Sequence, residues 1–151
     1  MASKSALSYA LKLLGVRDYF KNELFSKTAA KFGEIEASMA IEAIESYGWL
    51  NDEKTADNYI RIKLLSGYGP YYISGKLYEK GFSLSADEII KKAEGAEIDL
   101  EAQIEKLAAR YKGKSTGDLY KDRAKCMRFL MNRGYPLQLC DKILTKGDFF
   151  K

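Results

Sequence analysis

Residues 73–82 read ISGKLYEKGF and residues 126–135 read CMRFLMNRGY, the same pattern at a constant offset of 53. In each, an apolar residue (Ile73, Cys126) is followed one helical turn later by a leucine (Leu77, Leu130). Residues four apart share a helix face, so each pair marks a buried stripe. Each stripe then ends in a cation, a glycine and an aromatic: Lys80-Gly81-Phe82 and Arg133-Gly134-Tyr135. Glycine takes the left-handed conformation that stops a helix, and the next apolar residue covers the last turn. A weaker copy lies 49 residues before the first, pairing Leu24 with Ile73, Lys31 with Lys80 and Ile41 with Ile90. The sequence therefore predicts an internal helical repeat, three copies of a longer, a middle and a short helix.

Working outward, stop and start signals recur along the whole chain. A first amphipathic helix is expected from about Lys4 to Leu14, ending at Gly15, and a second from an Asp18 cap to about Ala30. Glu34 to Tyr47 follows Gly33 and ends at Gly48, with Trp49 and Leu50 covering its end. Asn51 or Asp52 caps a helix to Ser66 that carries Ala56, Tyr59, Ile60 and Leu64. Gly67-Tyr68-Gly69-Pro70 is a sharp joint, since proline suits the first turn of the next helix. That helix, Tyr71 to Lys80, precedes a short one opened by Ser85 or Asp87 and closed by Gly95. Glu97 to Lys112, Leu119 to Arg133 and Pro136 to about Lys146 complete the set. No stretch alternates with the period of a strand. The expected fold is all-α, three tandem three-helix repeats, with domains at 1–50, 51–96 and 97–151.

Charge is uneven across these repeats. The 151 residues carry a net +4. Residues 1–50 hold six basic and six acidic groups, residues 51–96 seven of each, and residues 97–151 twelve against eight. The whole excess lies in the last third, which points that part towards an anionic or acidic partner. No run is long and apolar enough for a membrane span, and the amphipathic start reads as a helix rather than a leader. Cys126 and Cys140 lack a metal-ligand spacing, so reduced, buried thiols in a cytoplasmic protein are expected, with a disulfide between them the alternative.

The chemistry of an active site is missing. The chain has no histidine, the commonest general base and transition-metal ligand. Lys112 to Thr116 resembles the end of a phosphate-binding loop but lacks the upstream glycine and the preceding strand. Glu97, Asp99, Glu101 and Glu105 are explained by helix-dipole placement without a metal. No catalytic residue, metal or cofactor is expected.

Binding chemistry is richer. In the helix from Leu119, Tyr120, Ala124, Met127 and Met131 fall at i, i+4, i+7 and i+11, a stripe expected to face the core. Lys121, Lys125 and Arg128 form a neighbouring basic stripe, and Arg123 and Arg133 add charge at other azimuths. Such a stripe suits phosphates or a carboxylate-rich protein groove; a plain solvated face is the alternative, and both stay open. Tyr68, Tyr71, Tyr72 and Tyr78 bracket the Gly67–Pro70 joint. Tyr71 and Tyr72 are adjacent on a helix, so one of them is expected to be exposed.

Three stretches resemble the RecX family, regulators of the bacterial RecA recombinase. They are Gly48-Trp49-Leu50-Asn51-Asp52 with Ala56; Gly67-Tyr68-Gly69-Pro70 with Ile73, Leu77 and Lys80-Gly81; and Asp122-Arg123-Ala124-Lys125 with Arg128-Phe129-Leu130 and Arg133-Gly134-Tyr135. With Glu23-Leu24 they span nearly the whole chain in the family's order. The departures gather in the first repeat: Phe20 for the usual serine, Thr28 for leucine, Thr55 for phenylalanine, and Lys31-Phe32-Gly33 for a plain Lys-Gly stop. The resemblance implies an elongated, curved, right-angled helical array. It also implies a monomer that binds the RecA–DNA filament and restrains strand exchange, ATP hydrolysis and filament growth in recombination and repair. Lys121, Arg123, Lys125, Arg128 and Arg133 are the expected contact surface, with Lys76 and Lys80 secondary. The alternative is a helical module that binds single- or double-stranded DNA without RecA.

Overall fold

The computed structural model describes residues 4–112 and 117–146. Among the described residues the regular structure is α-helical throughout: α1 (Lys4–Val16), α2 (Lys21–Phe32), α3 (Glu34–Ser46), α4 (Asp52–Leu65), α5 (Pro70–Glu79), α6 (Ala86–Gly95), α7 (Leu100–Lys112), α8 (Leu119–Asn132) and α9 (Leu137–Leu144). The helices form a repeat array of the expected all-α class. The graded helix lengths are found only in part. The first copy's third helix has 13 residues, as many as its first, whereas α9 has eight.

The chain forms two compact units: residues up to Asn58 with Leu77–Ser83, and Tyr59–Lys76 with the residues from Leu84 on. In the first unit, Ala10, Tyr19, Leu24, Ile41 and Ile44 make a buried cluster, with Leu7, Leu11, Leu14, Phe25 and Leu50 packed around it. Helical spacing of these residues along α1, α2 and α3 is what the sequence pattern anticipated. Several boundaries differ. Helix α1 runs through Gly15 to Val16. Asp18 does not cap α2; its carboxylate accepts from the Asn58 side chain at 3.4 Å. The cap position belongs to Phe20, whose ring is buried. A phenylalanine offers no side-chain acceptor, so only half of a capping box forms: the Phe20 amide donates to Glu23 Oε1 at 3.1 Å. Thr28 is fully buried and donates its hydroxyl to the Leu24 carbonyl at 2.8 Å, which satisfies it within its own helix.

Four of the helix stops share one geometry. At the end of α3, Gly48 has φ +75°, its amide donates to the Glu45 carbonyl, and the Trp49 amide donates to that of Ile44. This is a Schellman end, and it repeats at Gly67, Gly81 and Gly134. Leu50 rather than Trp49 supplies the apolar cover. Trp49 stays 58% exposed and stacks on Tyr47 at 4.8 Å. After α6 the expected stop at Gly95 is displaced: Gly95 lies inside the helix, and Glu97 takes the left-handed position at φ +59°. Asp99 then caps α7, its carboxylate accepting from the Ala102 amide. Asn51 caps α4, Ser85 caps α6 and Asp118 caps α8, each through a side-chain oxygen.

In the second unit, Ile104, Leu107, Ala108, Cys126, Leu130, Tyr135, Cys140, Ile143 and Leu144 form one core. Both cysteines are free and buried in it. Burial pushes each thiol up to about 11. The loop likened to the end of a phosphate site, residues 113–116, lies outside the described residues, as does the side chain of Lys112.

The Lys/Arg-Gly-aromatic stops do more than end helices. Lys80-Gly81-Phe82 docks on the start of α2: Lys80 Nζ pairs with Glu23 Oε2 at 3.0 Å, and Phe82 packs on Phe20 at 5.6 Å between ring centroids. Arg133-Gly134-Tyr135 docks on the start of α5: the Gly69 amide donates to the Arg133 carbonyl at 2.7 Å and the Tyr71 amide to that of Gly134 at 2.9 Å. Here backbone meets backbone. A methyl group on Gly69 would collide with the Gly134 carbonyl group, and one on Gly134 with the Tyr72 main chain. The Gly67–Pro70 joint and the Arg133–Tyr135 stop, read separately in the sequence, are two halves of one clasp.

Candidate functional site

Helix α8 carries most of the expected contact residues. Its N-terminus is fixed by Asp118, whose carboxylate accepts from the Tyr120 and Lys121 amides, and its C-terminus by the Gly134 clasp. These anchors set which side faces inward. Asp122, Cys126 and Leu130 are buried. The stripe Tyr120, Ala124, Met127 and Met131, expected to face the core, points largely outward: Tyr120 is 83% exposed and Met131 45% exposed. Met127 alone among these reaches the core with part of its side chain. The sequence pattern misled because an aspartate and a cysteine occupy two of the three core positions, while tyrosine and methionine made the outer side look more apolar.

Lys121, Lys125 and Arg128 are exposed along one flank of this outer stripe. Arg123 is exposed on the other flank, about 70° round the helix at ~100° per residue. None of the four takes part in an ion pair among the described residues. On the neighbouring helix, Glu101 and Glu105 of α7 are paired with Lys142 of α9 at 2.8 Å and with Lys146 at 3.0 Å. Helix α8 itself carries four basic residues against one acid, Asp122.

The other three expected contact residues have structural surroundings. Arg133 is half-buried; its Nε donates to the Gly67 carbonyl at 2.9 Å, its Nη2 to that of Ser66 at 3.3 Å, and its guanidinium lies 4.1 Å from the Tyr68 ring centroid. It satisfies carbonyls left open at the end of α4 and is not a member of the exposed row. Lys80 is the half-buried partner of Glu23. Burial alone would raise the Glu23 carboxyl, but the Phe20 amide, Lys80 and Arg17 outweigh it and hold the group below its ordinary value. Lys76 sits 5.6 Å from the Tyr72 ring. Tyr72 in turn stacks on Tyr68 at 4.4 Å, while Tyr71 is exposed, as the adjacency of the two residues requires.

Two features were not read from the sequence: the outward aromatic pair Tyr47–Trp49 and the apolar outer ridge of α8. A signal existed for each. Two aromatics flanking a left-handed glycine can meet outside the last turn, as Tyr47 and Trp49 do at 4.8 Å. The ridge follows once Gly134, rather than hydrophobicity, is used to orient α8.

The description "RecX, third three-helix domain" matches residues 97–144, which hold α7, α8 and α9. The regulatory protein RecX of Thermus thermophilus is 33% identical over 135 residues, spanning 87% of this chain and 84% of that protein. The chain belongs to the RecX family. Another RecX, from Escherichia fergusonii, is 32% identical over 143 residues, spanning 87% of this chain and 85% of its own length. The fold agrees with two solved RecX structures. That from Lactobacillus salivarius superposes with a TM-score of 0.71 at 21% identity, over 93% of this chain and 92% of that one. A second crystal structure of regulatory protein RecX gives 0.73 at 18% identity, over 94% and 71%. The RecX relatives are regulatory proteins. In this RecX-family chain, no described helix is long and apolar enough to cross a membrane. No group of three or more His, Cys, Asp or Glu among the described residues is placed to hold a metal ion.

Proposed function

We propose that this RecX-family chain binds the RecA–DNA filament in the cytoplasm and restrains its ATP hydrolysis and strand exchange, catalysing no reaction of its own. The observation that carries this reading is the exposed row Lys121, Lys125 and Arg128 with Arg123 on the other flank, none of them in an ion pair among the described residues, in a chain whose relatives are regulatory proteins. A filament of nucleoprotein presents phosphates and carboxylates, and such a row meets either without a cavity or a catalytic group. Arg133 and Lys80 serve the contact indirectly, by holding the joints, and Lys76 lies beside Tyr72.

The test is DNA-dependent ATP hydrolysis by RecA on single-stranded DNA. Added protein lowers the rate. The triple reversal Lys121→Glu, Lys125→Glu, Arg128→Glu weakens that inhibition by about tenfold or more, as expected when several rim charges change sign together. Its far-ultraviolet helical signal stays the same, because all three side chains are exposed. Unchanged inhibition removes α8 from the contact. Tight, steeply salt-dependent binding to DNA alone, with no effect on RecA, favours the RecA-independent module instead.

A further inference from the structure

The zero net charge of the first repeat hides a sharp division. All six of its basic groups lie in residues 1–31, whereas residues 32–53 hold six acids and no lysine or arginine. Part of this acidic stretch borders a groove of about 420 Å³ between α2 and α3, within the first unit. Half-buried Phe25 and buried Ile41 give the groove an apolar lining. Ser38, Glu42 and Glu45 line it from α3, Lys21 and Asn22 from α2. Lys21 is held at the start of α2, where its amide donates to Asp52 Oδ1 at 2.8 Å. Its ammonium sits on Glu45 Oε1 at 2.9 Å. Glu42, almost one turn earlier on α3, takes part in no ion pair among the described residues.

We infer that this groove binds a free polyamine, a linear alkyl chain carrying two or more ammonium groups. Lys21 stands in for one half of such a ligand: an alkyl stem lining an apolar groove with its cation on a carboxylate. A polyamine repeats that unit. One ammonium meets Glu42, the next meets Glu45, and the methylenes between them lie on Phe25 and Ile41. Positions three apart on a helix have Cβ atoms roughly 5–6 Å apart, of the order of the distance between neighbouring nitrogens in such a chain. Other ions fit the lining poorly. A phosphate would meet the acidic stretch. A divalent metal ion gains nothing from Phe25 and Ile41 and wants more oxygen ligands than two carboxylates of one helix supply. The inference is independent of the filament-binding reading. It has a consequence for the Lys80–Phe82 stop, because Asn22 lines the groove and also faces Gly81. An occupant is expected to stabilise the first unit by mass action.

The experiment is isothermal titration calorimetry of the full chain with spermidine. Magnesium chloride and a tri-lysine peptide are the comparison probes, all at one ionic strength. The parent takes up one spermidine per chain, saturably. The double variant Glu42→Gln, Glu45→Gln binds at least about tenfold more weakly, for the loss of two charge-assisted contacts. Both side chains are exposed, and an unchanged helical signal checks the fold. Lys21→Ala removes the internal competitor and raises affinity severalfold. Lys12→Ala changes the net charge equally, at an exposed position of α1, and leaves affinity as in the parent. No saturable uptake by the parent, or parental affinity in the double glutamine variant, overturns the site. Equal effects of Lys21→Ala and Lys12→Ala overturn the role given to Lys21. Magnesium that displaces spermidine at constant ionic strength overturns the polyamine in favour of a plain counterion. Tri-lysine that binds more tightly than spermidine overturns it in favour of a basic peptide.

Discussion

The Lys80–Phe82 and Arg133–Tyr135 stops occupy equivalent repeat positions yet hold their neighbours by different physics. At the first, side chains make the joint: a carboxylate–ammonium pair, two phenylalanine rings, and Gly81 against the flexible amide of Asn22. At the second, main chains make it, with two amides donated directly to the carbonyls of the stop. The residues facing each stop explain the difference. Phe20 and Glu23 meet the first; Gly69 and Tyr72, 49 positions on, meet the second. With no side chain at Gly69, the backbones close to hydrogen-bond distance. With Phe20 in its place they cannot, and Glu23 and Lys80 span the gap. The first joint therefore responds to charge and pH, the second to steric bulk.

The sharpest way to break this contrast is a methyl group at each glycine. Gly134→Ala combines a left-handed φ of +94° with a collision against main chain, and should cost on the order of 3 kcal/mol or more. Gly81→Ala carries similar backbone strain at φ +83° but meets only the Asn22 side chain, and should cost roughly 1–2 kcal/mol. Urea denaturation followed by circular dichroism ranks the two. Equal losses would mean that the second joint is no more tightly closed than the first.

Glu23→Gln comes next. It leaves Lys80 half-buried without its carboxylate and should cost about 1–2 kcal/mol, between the values for exposed and buried pairs. The sole tryptophan, Trp49, lies in the first unit and reports its unfolding by fluorescence. Cys126 and Cys140 lie in the second, where burial lifts both thiols to about 11 and slows their reaction with a thiol reagent at neutral pH. Gly134→Ala should accelerate thiol labelling, whereas Glu23→Gln should move chiefly the tryptophan signal. Faster labelling in Glu23→Gln than in Gly134→Ala would contradict the assignment of each joint to its own unit.

The pH dependence is smaller and has a fixed sign. The folded Glu23 carboxyl is held below its ordinary value of 4.5. Its contribution is complete above that value and is lost as pH falls through the lowered folded-state one. The tryptophan-monitored stability of the parent should thus approach that of Glu23→Gln on acidification; a constant difference between them would show that the pair contributes nothing. The smallest expected effect concerns Tyr135, where the first joint has Phe82. The Tyr135 hydroxyl is buried with no hydrogen-bond partner among the described residues, and burial pushes it up to about 12. Tyr135→Phe removes an unsatisfied polar group and should be neutral or stabilising by up to ~1 kcal/mol; a clear loss of stability would reveal a role for the hydroxyl.

Local signals carried most of the fold into the sequence. Glycine stops at 33, 48, 67, 81 and 134, with caps at Asn51 and Ser85, mark helix ends because their causes lie within a few residues. The errors have non-local causes. Asp18 looked like a cap until Phe20 found a buried site and Glu23 took over the amide. Glu97 holds a conformation that only its surroundings can impose. At the candidate site, the charge of α8 was legible from composition alone, but its facing was not. That facing depends on Gly69 and Tyr72, more than fifty positions away, and so Arg133 was read as an exposed contact when it completes the clasp.

The Gly134 clasp also imposes a reading frame on α8. One residue inserted between Asp118 and Arg133 would turn everything before it by about 100°, carrying Tyr120 and the lysines out of alignment with the stop. Only changes of about seven residues, two full turns, would return the ridge and its cations to the same side. In this part of the chain, length is held within α8 and also at the two connections that form the clasp, Gly67–Gly69 and Arg133–Tyr135.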